Sequence, residues 1–208
     1  MKPTTRFLSA AAFVLVPLLA IGTTASAAVQ TITFQLRASA VGQTSTFTFT
    51  QDVDASAPAT VTAGGALTVT LTPGPNTVPT SAGGYTVNNI RGLSLSLPVP
   101  ANSTYVSASL SGGSGLGSAA PSVSLQSGNI VLKVPGPIAG GAHFQLPAVS
   151  IHLTAGTSGT IATKLGGTSY DNPGLSFTAN VHVLFFNVDA PSAGYPSPNP
   201  VLTTTTIG

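Results

Sequence analysis

After residue 28, apolar side chains alternate with Thr, Ser or Asn along most of the chain. This two-residue period is that of a β-strand with one face on a core and the other in water. Thr, Val, Ser, Gly and Pro dominate the composition, which favours strands and turns over helices. The pattern predicts ten strands, at residues 31–36, 44–53, 66–72, 92–99, 104–110, 129–134, 148–154, 159–165, 175–185 and 201–207.

Glycine- and proline-rich turns separate these segments, among them Pro73-Gly74-Pro75-Asn76 and Asp171-Asn172-Pro173-Gly174. About ten short strands between such turns predict an all-β fold, an antiparallel immunoglobulin-like β-sandwich formed by residues 28–208 as a single domain. The Gly/Ser-rich run within residues 111–120 is the candidate internal boundary. A single sheet closed on itself is the alternative. It ranks lower because the strand spacing is uneven and prolines interrupt several strand ends.

The first 27 residues have the pattern of a secretory signal peptide. Lys2 and Arg6 precede an apolar run at residues 7–21, and Ala25-Ser26-Ala27 supplies small residues for cleavage. The run is shorter than the ~20 residues that a spanning helix needs. We therefore expect cleavage at the Ala25/Ala27 site, a mature chain without a membrane span, and a secreted or cell-envelope-associated location.

Charge and cysteine content narrow the candidate partners. Beyond the leader, four cations, Arg37, Arg91, Lys133 and Lys164, balance four aspartates, so the formal charge is zero. Four scattered cations form neither a nucleic-acid-binding surface nor a polybasic patch for anionic lipid, and we expect no nucleic-acid partner. The chain contains no cysteine, which excludes disulfides, thiolate metal sites and a cysteine nucleophile.

Residues 57–155 carry a motif-level resemblance. The segments APATVTAGGALTVTL, LSLPVPANSTYVSASLSGGSG and LQSGNIVLKVPGPIAGGAHFQLPAVSIHLTAG resemble the layout of immunoglobulin-like repeats in bacterial surface proteins. The leader, the Thr/Ser-rich strands and the closing SPNPVLTTTTI resemble secreted, uncharacterised β-sandwich proteins of actinobacteria. The resemblance implies an extracellular structural or binding role and implies no catalytic residues.

Histidine is the first candidate for metal chemistry. His152 and His182 alternate with apolar neighbours and point outward, and His143 begins a predicted strand. If the strands of His152 and His182 were paired or next-but-one neighbours, the two imidazoles would share one face and, with His143, could form a weak zinc or copper site. The favoured interpretation is that the three histidines lie on solvated sheet faces, because no carboxylate or cysteine lies near them to complete a site. We therefore predict no metal site and no cofactor.

Carboxylates are too scarce to indicate an active site. Asp52 and Asp54 share one side of a strand and Asp171 begins a turn, so a surface calcium site is conceivable, although Ca²⁺ takes six or more oxygen ligands. Beyond the leader there is no glutamate for paired-carboxylate hydrolysis, and no G-x-S-x-G motif occurs. The prediction is a protein that is not an enzyme.

The residues Leu184-Phe185-Phe186 break the alternation, so one phenylalanine should face away from the core. We expect the proline-rich segment 190–200 to cover it, and an exposed apolar patch is the alternative.

These features predict a non-enzymatic structural or adhesive module whose partners are cell-wall or envelope components or another surface protein. The alternative function is a carrier that binds an apolar or glycan ligand between the sheets. The candidate lining residues are Phe34, Phe47, Phe49, Phe144, Phe177 and Phe185.

Overall fold

The computed structural model describes residues 24–26, as backbone only, and residues 29–208. These residues form strands joined by turns and contain no helix. The strands are β1 (Thr24–Ser26), β2 (Gln30–Ala40), β3 (Gln43–Pro58), β4 (Thr60–Val61), β5 (Ala66–Pro73), β6 (Pro75–Thr77), β7 (Ser81–Ala82), β8 (Tyr85–Pro98), β9 (Ser103–Ser111), β10 (Ser122–Gln126), β11 (Asn129–Val134), β12 (Ile138–Ala139), β13 (His143–Gln145), β14 (Ala148–Ala155), β15 (Gly159–Thr163), β16 (Leu175–Val183), β17 (Phe186–Pro196) and β18 (Thr203–Ile207).

One large antiparallel sheet dominates the structure. Its hydrogen-bonded path runs through ten strands in the order β10-β11-β8-β16-β17-β2-β3-β5-β14-β9, and β1, β7 and β12 pair beside it. The two end strands, β10 and β9, contact each other, so the sheet curls until it is nearly closed. Two small sheets, β13-β6 and β15-β18-β4, pack against it, and β18 and β4 are parallel.

The structure confirms the all-β, antiparallel class. The ten-strand path is continuous and is not divided into two hydrogen-bonded sheets, so the immunoglobulin-like sandwich is not confirmed. Strands from before and after residues 111–120, the candidate internal boundary, alternate along this path.

Alternation along each strand builds the core on the inner face of the curl. In β2, Ile32, Phe34 and Leu36 are 1–2% exposed, and their polar neighbours face outward. In β14, Val149, Ile151 and Leu153 follow the same rule. Because successive side chains of a strand point to opposite faces, every second residue of these strands joins the same apolar interior.

Strand β17 was not predicted. The predicted strand at 175–185 ends just before it, and residues 190–196 of β17 belong to the proline-rich segment expected to cover Phe185 or Phe186. In the structure, β16 ends at Val183, a two-residue turn follows, and β17 pairs with both β16 and β2. The segment 190–200 is therefore largely part of the sheet.

The predicted signal peptide lies largely outside the described residues. Only the backbone of residues 24–26 belongs to the described part, where Ala25 pairs with Ala57 of β3. Ala27, the other residue of the predicted cleavage site, is not among the described residues.

Candidate functional site

The curled sheet surrounds three adjoining apolar spaces, which we call the apolar cleft. Their volumes are about 80, 50 and 40 Å³. The first and second spaces share Phe47, Ala82 and Ala179 as walls, and the first and third share Phe49 and Phe144. The cleft therefore extends as one narrow series of spaces along β3, β8 and β16.

The structure brings five of the six candidate phenylalanines to the apolar cleft. The largest space is lined by Phe47, Phe49, Phe144 and Phe177, and the third space is lined by Phe34 together with Phe49 and Phe144. The sixth residue, Phe185, does not line the cleft and is 88% exposed. The reason is the turn after Val183, which removes Phe185 from the inward alternation of β16.

Several cleft phenylalanines face inward without being fully buried. Phe47, Phe49 and Phe177 keep intermediate exposure, whereas Phe34 and Phe144 are 2% and 4% exposed. Large inward-facing aromatic side chains in a filled core lose nearly all their contact with solvent. Their residual exposure indicates unfilled space between the β3 and β16 walls.

Polar groups are concentrated at one end of the cleft. The second space is lined by Gln43, Ser45 and Tyr85 as well as apolar residues, whereas Gln51 is the polar residue lining the third. The Gln51 amide donates to the carbonyls of Asp52 and Gly74, so its donors are already used within the protein. The lining residues of all three spaces are uncharged.

Three hairpin turns lie at the end of the cleft that carries these polar groups. They are Val41-Gly42 between β2 and β3, Gly83-Gly84 between β7 and β8, and Leu184-Phe185 between β16 and β17. The pairing of β8 with β16 and of β17 with β2 brings the three turns to the same end of the sheet. We call this the tip end.

The tip end exposes four large apolar side chains. Val41 is 67% exposed, Leu184 81%, Phe185 88% and Phe186 70%. The expectation that residues 190–200 cover the phenylalanines is wrong, because those residues pair within the sheet and leave the preceding turn uncovered. We name Val41, Leu184, Phe185 and Phe186 the apolar tip.

The three histidines are dispersed over the described structure. His143 lies in β13 and shares a 2.8 Å hydrogen bond with Thr77, and His152 lies in β14 and shares a 3.0 Å bond with Thr68. His182 lies in β16, and four strands separate β16 from β14 along the sheet. The arrangement in which His152 and His182 would share a metal ion therefore does not occur, because their strands are not neighbours.

The candidate calcium ligands are also dispersed. Asp171 forms a 2.9 Å ion pair with Arg37, and the Arg37 guanidinium lies 4.9 Å from the centre of the Tyr170 ring. Asp52 accepts a hydrogen bond from Thr31 on the neighbouring strand. Within residues 29–208, no group of three or more His, Cys, Asp or Glu side chains is placed to hold a metal ion.

A polar network crosses β8, β16 and β17 on the outer face of the sheet. The Asn88 amide donates to the side-chain oxygens of Asn180 and Asn187, each at 3.0 Å. Asn180 in turn donates to Asp189 at 2.9 Å, and Arg91 pairs with the same carboxylate. These bonds join the three strands beside the cleft wall.

This network lowers the pKa of Asp189. The hydrogen bond from Asn180 is the main cause, followed by the hydrogen bond from Arg91. A carboxyl whose pKa is depressed by folding adds stability above its unfolded pKa, and the contribution disappears as pH falls through the folded pKa. We expect part of the acid sensitivity of the fold to arise at this position.

Replacing Asp189 tests that expectation. In Asp189→Asn, the difference between the urea unfolding midpoints at about pH 6 and about pH 2.5 should be smaller than in the unmodified protein. Asp54→Asn, at an exposed position of β3, is the matched control. An equal pH dependence in Asp189→Asn and the unmodified chain would contradict the assigned role.

Sequence reasoning identified the phenylalanines of the cleft but not its smaller wall residues, such as Ala82 and Ala179, or the polar residues of the tip end. The break in alternation at residues 184–186 was the available signal for the apolar tip. No helix within the described residues is long and apolar enough to cross a membrane. No protein-family model, curated protein or solved structure matches the chain.

Proposed function

We propose that this protein binds a narrow, uncharged apolar ligand, such as a single acyl or alkyl chain, in the apolar cleft. The observation that carries the proposal is a series of adjoining apolar spaces walled by five phenylalanines, of which Phe47, Phe49 and Phe177 are half-buried. Binding sites for small molecules are concave, mostly apolar and supplied with a few polar groups that orient the ligand. The cleft has each of these properties.

The dimensions of the cleft favour a slender ligand. Its largest space is about 80 Å³, and each of the two smaller spaces shares lining residues with it. Apolar cavities of about 150 Å³ accept molecules of the size of benzene, whereas drug-sized ligands occupy pockets of roughly 300–1,000 Å³. A linear chain fits such a series of small spaces better than a fused-ring molecule does.

Electrostatics favour an uncharged ligand. The lining residues carry no formal charge, and an unpaired carboxylate transferred into such surroundings loses its hydration without gaining a partner. The hydroxyl and amide groups of Ser45 and Gln43 at the tip end can instead hydrogen-bond an alcohol or ester group. An alcohol or ester should therefore bind more tightly than the corresponding fatty acid anion.

The structural or adhesive role predicted from the sequence is the competing proposal. It rests on the leader, the Thr/Ser-rich strands and the resemblance to bacterial surface repeats. The two roles differ in what accompanies the protein on purification. Native mass spectrometry should detect a bound adduct that is lost under denaturing conditions if the protein is a carrier, and the bare chain if it is solely structural.

Ligand binding is tested by filling the cleft. 1-Dodecanol, an uncharged single-chain probe, should bind to the unmodified protein more tightly than dodecanoate does, as measured by isothermal titration calorimetry. In Ala179→Phe, the added ring occupies the space shared by the first two parts of the cleft, and probe affinity should fall at least about tenfold. Ala82 also lines both of these spaces at a half-buried position of the short strand β7, so Ala82→Phe should lower probe affinity as well.

The adjacent substitution Thr178→Phe is the matched control. Thr178 lies on the same strand as Ala179 and faces the opposite side of the sheet, so it adds equal bulk outside the cleft. Circular dichroism and thermal unfolding should show that the compared variants are folded. Unchanged probe affinity in both folded cleft variants, or equal losses in Thr178→Phe, would refute binding in the cleft.

A further inference from the structure

We propose that the apolar tip inserts into the surface of an uncharged lipid layer and places the end of the cleft against it, so that the ligand chain enters directly from lipid. Entry of the ligand chain into the cleft rests on the proposed function. Insertion of the apolar tip into lipid does not depend on it. Four observations carry it: exposure, turn conformation, protrusion and continuity with the cleft.

The turns of the apolar tip use residues that disfavour their own backbone conformation. Leu184 has φ of 55° and Val41 has φ of 50°, a left-handed region that branched and bulky side chains rarely adopt. Two-residue hairpin turns strongly favour Asn-Gly or Gly-Gly, and the β7–β8 turn at Gly83-Gly84 follows that preference. Strained positions held by exposed apolar side chains are typical of a surface with a function.

The β16–β17 hairpin projects beyond the β2–β3 hairpin on one side and lies level with the β7–β8 turn on the other. Ser192 pairs with Ala38, and Phe186 lies six residues further toward the tip, whereas Val41 lies three residues further. The difference of three residues corresponds to roughly 10 Å of extended strand. A projecting hairpin with Leu184 and Phe185 at its end can enter a fluid layer without a surface of matching shape.

Area and charge favour lipid over a second copy of the chain. Four side chains of this size expose on the order of 500 Å², less than the ~800 Å² that each partner of a stable protein interface buries. The nearest ion pair, Arg91–Asp189, is neutral as a unit, and the formal charge of residues 29–208 is zero. A lipid surface recognised by this tip needs no anionic headgroups.

The tip is continuous with the cleft. Phe186 belongs to the same side of β17 as Ala190 and Ser192, which line the second space. Tyr85, at the start of β8, lines that space too and lies beside the Gly83-Gly84 turn. A chain leaving lipid along Phe186 therefore meets the polar end of the cleft first.

Vesicle binding tests insertion. The purified protein should float with phosphatidylcholine vesicles, and added phosphatidylserine or 0.5 M NaCl should change the bound fraction less than about twofold. The double substitution Leu184→Gly and Phe185→Asn should lower the partition coefficient at least about tenfold. It should also raise the thermal unfolding midpoint, because glycine accepts the positive φ of residue 184 without strain, so loss of binding cannot be assigned to unfolding.

A turn elsewhere supplies the control. Ser127→Asn alters the Ser127-Gly128 turn between β10 and β11 and should leave vesicle binding unchanged. Equal flotation of the tip variant and the unmodified protein would overturn the proposal, and so would a dimer in vesicle-free solution that the tip variant dissociates. The tip variant should keep its affinity for 1-dodecanol in solution. If the unmodified protein floats with vesicles but does not bind 1-dodecanol, the cleft function is refuted and insertion of the apolar tip is still supported.

Discussion

Gly174→Ala should lower the free energy of unfolding by about 3 kcal/mol or more. A Cβ atom at residue 174 would lie 1.7 Å from the carbonyl oxygen of Gly166 and 2.3 Å from its carbonyl carbon. Both are backbone atoms, so relief requires movement of the chain. The Gly174 backbone also accepts a hydrogen bond from Ser96 and donates one to Gly194, and such movement would weaken both.

The measurement is urea unfolding of matched glycine variants. Gly140→Ala, whose Cβ would lie 1.9 Å from the Val87 carbonyl oxygen, should be destabilised to a similar degree. Gly74→Ala is the control, since its nearest contact would be an ordinary 3.4 Å to the Asp52 side chain, and its stability should change by less than about 1 kcal/mol. Similar stabilities for all three variants would show that these close backbone approaches are not needed by the fold.

Alternation was sufficient to predict the strands that have one face on the core. The predicted segments at 66–72 and 148–154 differ by single residues from β5 and β14, because Leu67, Val69, Ile151 and Leu153 recur with a period of two. Such strands can be predicted from their own sequence, since the burial of each side chain follows from its position in the pleat.

The strand β17 escaped prediction because its local chemistry is atypical. Pro191 and Pro196 interrupt it, and proline is usually confined to strand edges because it cannot donate to a sheet. The turn before it is Leu184-Phe185, which has none of the Gly or Asn residues that mark a hairpin. Apolar residues therefore occupy turn positions where Gly or Asn are usual. This hid the hairpin from prediction, and it also creates the apolar tip.

Part of the candidate site could be predicted from alternation, and the rest depends on which distant strands pair. Alternation placed Phe47, Phe49 and Phe177 on inward faces, and the structure gathers them around one space. Which turns share an end of the sheet depends on pairings such as β17 with β2, more than 150 residues apart in sequence. Long-range pairing also decides that His152 and His182 lie apart, and no local pattern contains that information.

Ile151→Ala should cost about 2–5 kcal/mol of stability, and Phe177→Ala clearly less, although phenylalanine loses more atoms. Ile151 is 1% exposed at the centre of β14 and lines none of the three spaces, so its removal leaves a new cavity in a packed region. Phe177 is only half buried beside space that already exists, so its truncation forfeits fewer contacts. Urea unfolding of both variants measures the difference.

Comparing the stability losses of Ile151→Ala and Phe177→Ala distinguishes the packed part of the interior from the part proposed to bind a ligand. A carrier must leave volume unfilled, so its cleft walls contribute less to stability than its core does and are stabilised when the cleft is occupied. Adding 1-dodecanol should therefore raise the thermal midpoint of the unmodified protein and of Ile151→Ala by similar amounts, and that of Phe177→Ala by a different amount. An equal cost for the two truncations, with no response to 1-dodecanol in any variant, would mean that the cleft belongs to the packed core.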